Sequence, residues 1–268
     1  MPSRCTRLIL SCLVLVTLAG ASMLAGAALF APRLAESLCR DLRVRPKNLL
    51  EEAQQRFGWK IYSQWDEETL IRHFFGDRRS GFFLDVGAAD CCHVSTTYYL
   101  DSRLGWRGIA VDANASYRDG YQRNRPSTKF FSFLVSDTSD ALADFYFLPG
   151  SPAIASGHRS HLDKFADVRG HEREVQDLKV PTITLNRLLE REGVQKIDFL
   201  SLDIEGFELA ALDGFDIQKY RPDLVCVEIQ TELAAKLLDY FARNNYRRID
   251  DYLPFDMHNW YFAPVKKS

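Results

Sequence analysis

Five short apolar runs recur along this chain, and each closes on a carboxylate. GFFLDVG (81–87) ends on Asp85 and Gly87, and WRGIAVDAN (106–114) ends on Asp112. FFSFLVSD (130–137) ends on Asp137, KIDFLSLDIEGFE (196–208) on Asp203 with Glu205, and DLVCVEI (223–229) on Glu228. Runs of this length without polar alternation predict strands buried on both faces, as in parallel sheets. Helical stretches lie between them: VSTTYYLDSRLG (94–105), one through SYRDGYQRN, NRLLEREG, FELAALDGF and the amphipathic ELAAKLLDYFARNN (232–245). Strands separated by helices imply an α/β fold with a mainly parallel sheet and right-handed crossovers. The aromatic alternation of YRRIDDYLPFDMHNWYFAP predicts terminal strands forming a hairpin. The stretch 138–180 is less regular, with one further strand, DFYFLPG, and a Ser/His/Arg-rich loop, SPAIASGHRSHLDKF.

In an open parallel sheet, ligands bind beyond the carboxyl ends of the strands. One acid there means little, since turns favour Asp and Gly. Acids after every main strand imply a rim of acceptors, suited to a ligand bearing hydroxyls, an amine or a positive centre. No G-x-x-x-x-G-K-[ST] loop is present, which excludes a P-loop nucleotide site. A dinucleotide fingerprint would need a glycine two positions before Gly87, where Asp85 stands. The acid at 85 suits a ligand that brings an ammonium group to the first turn. Asp112, about 25 residues after Gly87, is placed to accept from two ribose hydroxyls. An aminoacyl-nucleoside, S-adenosylmethionine, fits this pattern better than a dinucleotide.

Charge is nearly balanced, 34 basic against 36 acidic residues, which gives no reason to expect a nucleic-acid partner. The six cysteines, at 5, 12, 39, 91, 92 and 226, show no zinc-site spacing and read as reduced thiols. From Leu8 to Pro32 no residue is charged, and the run is long enough to cross a bilayer. It is expected to be a retained single-pass anchor. The competing expectation is a cleaved signal peptide, with export of the body and Ala25-Gly26-Ala27 as the cleavage site. Arg4 and Arg7 precede the run, whereas Arg33, Arg40, Arg43, Arg45 and Lys47 follow it, so the positive-inside rule places the body in the cytoplasm. The expected organisation is therefore a membrane segment over 1–32, a partly helical juxtamembrane linker over 33–61 (NLLEEAQQRF), and a domain over 62–268.

FLDVGAAD, LGWRGIAVDAN, VSD, VPTITLNRLL and KIDFLSLDIEGFELAALDGF resemble the FkbM family of S-adenosylmethionine-dependent methyltransferases over roughly 62–262. The D-x-L-x-x-D-x-E-G-x-E string at 198–208 is the most specific piece. The resemblance implies a Rossmann-like class I methyltransferase fold, with a seven-stranded sheet whose last strand runs antiparallel and helices on both faces. It also implies methylation of a hydroxyl on a sugar, glycan or other small metabolite. By the same resemblance, Asp85, Gly87 and Asp90 form the turn at the methionine end, Asp112 binds ribose, and Ser136 with Asp137 lies near the adenine. Cys91 stands where the family usually has a small residue, which would narrow that turn.

An alcohol acceptor needs a base. The candidates are Asp203, Glu205, Glu228, His158, His161 and His258, with Asp203 and Glu205 favoured as catalytic residues. Two other roles compete for these acids. Glu205 would cap the next helix and Asp203 hold a loop amide, or a divalent ion would sit between Asp203, Glu205 and Glu228. A catalytically silent binding or scaffold protein at a membrane is the alternative to the enzyme.

Overall fold

The computed structural model describes residues 49–148, 151–157, 159 and 175–266. The chain divides into two units, Met1–Glu51 and Glu52–Ser268. The expected membrane segment over 1–32 lies outside the described residues, as does the linker up to residue 48. Among the described residues, no helix is long and apolar enough to cross a membrane.

Helix α1 (Leu49–Phe57) and helix α2 (Glu67–Phe75) precede the first strand, β1 (Phe82–Val86). Helix α3 (Tyr98–Leu104) leads to β2 (Arg107–Asp112), and α4 (Arg118–Asn124) to β3 (Thr128–Ser132). A second group of strands follows: β4 (Leu134–Val135), β5 (Leu142–Leu148), β6 (Ser151–Ser156) and β7 (Gln176–Ile183). The chain then forms α5 (Leu185–Arg191), β8 (Phe199–Leu202), α6 (Glu208–Asp213), α7 (Ile217–Tyr220) and β9 (Leu224–Glu228). Helix α8 (Ala234–Arg243) and strands β10 (Tyr246–Arg248) and β11 (Asn259–Pro264) complete it.

The main sheet has seven strands in the order β10-β11-β9-β8-β1-β2-β3. All its neighbouring pairs are parallel except those made by β11, which runs antiparallel to both β9 and β10. This is the expected Rossmann-like arrangement, including the antiparallel last strand and the terminal hairpin. Phe83, Leu84, Val86, Phe199, Leu200, Leu224 and Val225 are wholly buried, so each contributes roughly 1.5–3 kcal/mol of apolar transfer energy. Strand order reverses between β1 and β8, because the chain builds outward through β2 and β3 and then returns to the other side of β1. That reversal opens a crevice at the carboxyl ends of the strands.

Two expectations are corrected. The run 130–137 is not one strand. The Phe133 amide donates to the Asp112 carbonyl at 3.2 Å, the chain turns there, and β4 leaves for another sheet. The stretch 138–180 is also more regular than its composition suggests, since β4-β7-β5-β6 form a second, four-stranded sheet. The first four residues of β7 are exposed, so no apolar run announces it.

Candidate active site

A cavity of about 450 Å³ lies at the switch point, within the roughly 300–1,000 Å³ usual for small-ligand sites. Asp85, Asp112 and Asp203 all line it, joined by Gly87, Glu205, Glu228 and His258. The convergence of these acids follows from topology, because each sits at or just past the carboxyl end of a parallel strand.

Asp85 occupies the centre of the sheet, where a carboxyl has no intrinsic reason to be. Its Oδ2 accepts the Thr97 hydroxyl at 2.5 Å, and Thr97 Oγ1 in turn accepts from the buried Arg125 guanidinium at 3.0 Å. Arg125 is anchored by Asp101 at 2.9 Å. Burial raises the Asp85 pKa, against the lowering effect of the Thr97 bond and the Arg125 charge. Gly87 follows at φ 82°, a backbone region open to glycine, and its amide and that of Ala88 donate to the Val111 carbonyl.

Asp112 accepts one backbone amide on each oxygen, Ala89 at 2.9 Å and Asn114 at 2.7 Å. Each carboxylate oxygen retains a further lone pair for a ligand donor. Burial pushes this acid up to about 6, with the two amides lowering it and the Asp85 charge raising it.

Asp203 is exposed and lines the cavity. Burial, followed by the charges of Glu228, Glu205, Glu208 and Glu67, holds its carboxyl well above the usual range. Buried Glu208 accepts the loop amides of Ile204 and Gly206 at 3.1 Å each. Glu205 and Gly206 turn the loop at φ 53° and 102°. Asp203, Glu205 and Glu228 each offer an oxygen within 4.8 Å of the others, so the set could hold a divalent cation.

Three assigned residues stand apart from the cavity lining. Asp90 Oδ1 accepts the amides of Cys92 and His93 at 2.9 and 2.8 Å, so its carboxyl shapes its own loop. Ser136 donates to Asp137 at 3.0 Å, and Asp137 is exposed beyond β4. The turn at Phe133 carries both away from the rim, and Phe133, Leu134 and Val135 line the cavity in their place. Cys91 is buried with its Sγ 3.3 Å from that of Cys92 and is absent from the cavity lining. His158 and His161 lie outside the described residues.

The remaining wall joins His258, one of the candidate bases, to Trp65 and Glu67, which the sequence does not single out. Trp65 stacks on His258 with ring centroids 4.3 Å apart. Beside them, Glu67 is buried, accepting the Trp65 amide at 2.7 Å and the Asn259 side chain at 3.4 Å. Burial pushes Glu67 up to about 7, against its own backbone amide, with Asp256 raising it further. In the sequence, Asp66-Glu67-Glu68 reads as the acidic first turn of a helix. Glu68 does serve the local chain, accepting the amides of Ile61 and Tyr62, but nothing local distinguishes it from Glu67.

A family model described as the Methyltransferase FkbM domain matches residues 85–248. Among solved structures, the chain is similar to a TehB-like SAM-dependent methyltransferase from Corynebacterium glutamicum at 12% identity and a TM-score of 0.40, over 87% of this chain and 100% of that one. It is also similar to an O-methyltransferase from Bacillus cereus in complex with SAH, at 13% identity and a TM-score of 0.41, over 84% and 94% of the two chains. No curated protein matches the chain.

Proposed function

Since this chain belongs to the FkbM methyltransferase family, we propose that it uses S-adenosylmethionine to methylate a hydroxyl on a sugar, glycan or other small metabolite. The observation that carries the reading is the convergence of Asp85, Asp112 and Asp203 on one cavity at the switch point of the sheet. The donor set fits the cofactor. Asp112 would accept from the two ribose hydroxyls, the Asp85 strand and Gly87 turn would hold the aminoacyl end, and Phe133, Leu134 and Val135 would offer the base an apolar surface.

When bound, the cofactor supplies an electrophilic methyl group. The protein's own task is then to hold an acceptor oxygen in line, at about 3 Å, and to take its proton. A carboxylate at its ordinary pKa is a poor base for an alcohol. Asp203 is a stronger one, because burial and four neighbouring acids favour its protonated form. Glu205 flanks the same loop and lines the cavity, so the pair can orient the hydroxyl and receive its proton. The Trp65–His258 stack offers a flat apolar wall against which a sugar ring can lie.

Isothermal titration with S-adenosylhomocysteine tests the reading. Binding that is lost in Asp112→Ala supports it, and a chain that binds no S-adenosylhomocysteine sinks it. We further propose that 1–32 anchors the protein with its domain in the cytoplasm, where the methyl donor is made. A topology reporter fused after Ser268 checks this, and an external signal would overturn it.

A further inference from the structure

Nine large apolar side chains are exposed among the described residues, and five of them come from segments that meet at the cavity mouth. Trp59, Ile61 and Trp65 precede α2, Val94 follows the β1 turn, and Met257 precedes β11. They are 73%, 58%, 42%, 53% and 88% exposed, respectively. An isolated bridge between Ser63 and Val94 joins the first two segments. The Trp65–His258 stack joins the first to the third, next to Met257. Trp65, Val94 and His258 also line the cavity. Single exposed apolar residues are ordinary, whereas a group rimming an opening marks a contact surface.

We propose that this rim rests on a lipid bilayer, so that the cavity mouth opens towards the membrane and the acceptor hydroxyl arrives on an amphiphile. The inference rests on the anchor reading of 1–32 and deepens it. The apolar run ends at Phe30 and the described chain begins at Leu49. At roughly 3.3–3.6 Å per residue, the link between them spans at most about 65 Å. A tether of that length keeps the mouth at high effective concentration near the surface, so a modest apolar rim suffices to seat it. The linker itself carries Arg33, Arg40, Arg43, Arg45 and Lys47 against Glu36 and Asp41. That excess is attracted to anionic headgroups. Tryptophan is the side chain that settles best at headgroup depth, and two of the five rim residues are tryptophans.

The tryptophan distribution permits a direct test with the full chain. Four are present, at 59, 65, 106 and 260, and the segment before residue 49 contains none. Trp106 is wholly buried. In phosphatidylcholine–phosphatidylglycerol vesicles carrying brominated acyl chains, emission should fall by about half relative to unbrominated vesicles, because two of the four fluorophores reach the interface. W59F with W65F should remove most of that quenching. I61S with M257S should reduce it while S-adenosylhomocysteine binding persists. A chain that floats with the vesicles but is not quenched would overturn the docking alone, and the rim would then belong to a protein partner or a second copy. A chain that does not float would overturn the docking together with the anchor. Loss of S-adenosylhomocysteine binding in the parent chain would leave the quenching result readable and would count against the methyltransferase reading only.

Discussion

Gly87 lies directly against the backbone carbonyl of Asp203: a β-carbon at residue 87 would fall 1.6 Å from that oxygen. The first strand's turn and the proposed catalytic loop are thus in backbone contact, and no side chain fits between them. Gly87→Ala must displace the Asp203 loop and must also hold alanine at φ 82°. The conformational penalty alone is about 1–3 kcal/mol, and a shift in the loop adds to it. We expect a thermal midpoint lower by several degrees, at roughly 2–4 °C per kcal/mol for a chain of this size. S-adenosylhomocysteine affinity should fall as well. A variant with parental melting and parental affinity would show that the two loops do not constrain each other.

Asp112 should make cofactor affinity depend on pH. Its carboxyl is pushed up to about 6 in the folded protein by burial. Below that pH one oxygen becomes a hydroxyl and loses its place as an acceptor for ribose. Affinity for S-adenosylhomocysteine should therefore weaken as pH drops below about 6, by up to about tenfold per pH unit. Asp112→Asn should bind roughly 10- to 100-fold more weakly, the worth of one or two hydrogen bonds to a charged group. Its affinity should also lose this pH step. Titrations from pH 5 to pH 8 check both, and an unchanged step in the variant would assign it to another acid of the cavity.

Much of this site is legible in the sequence, for a physical reason. A central parallel strand must be apolar, so Asp85, Asp112 and Asp203 stand out against FFLDV, IAVD and FLSLD, and sheet topology brings strand ends together. Ser136 and Asp137 stand outside the cavity lining because FFSFLVSD, which reads as one apolar run, breaks at Phe133, where a backbone bond to Asp112 leaves no mark in composition. Glu67 was missed because it looks like an ordinary charge in a helix's first turn. Only its bond to the distant Asn259 and its place in the cavity lining set it apart. Of the second sheet only β5 is legible, because β4 has just two residues and the first half of β7 is exposed.

Asp203→Asn separates a catalytic from a structural role. As a base, its loss should lower kcat by roughly 10²–10⁴-fold and leave S-adenosylhomocysteine binding intact. It should also stabilise the free protein at pH values above the raised pKa of Asp203, where the parent carries one more charge among crowded acids. The folded pKa of Asp203 is raised, so its stabilising share is present at low pH and is lost as pH rises through that value. The parent's melting temperature should fall across that range, and the variant's should fall less. Full activity in the variant would remove Asp203 from the reaction.

Glu67 offers a cleaner pH probe, because it precedes the segment matched by the family model and Glu67→Gln changes no backbone contact. Its folded pKa is about 7, raised by burial from an unfolded value of 4.5. The folded protein therefore binds more protons than the unfolded chain between those two values, and stability should decline as pH rises from about 4.5 to 7. Glu67→Gln keeps the amide oxygen that accepts the Trp65 N–H, and it carries no charge at any pH. Denaturant midpoints measured at pH 5 and pH 8 should differ less in the variant, with the gain concentrated at pH 8. Glu67 also lies on the cavity wall with Trp65 and His258, so its ionisation adds negative charge beside the acceptor. In the parent, KM for a hydroxyl acceptor should shift around pH 7, whereas the variant should show no such shift. Equal pH dependence of stability in both proteins would mean that Glu67 is not the group titrating in this range.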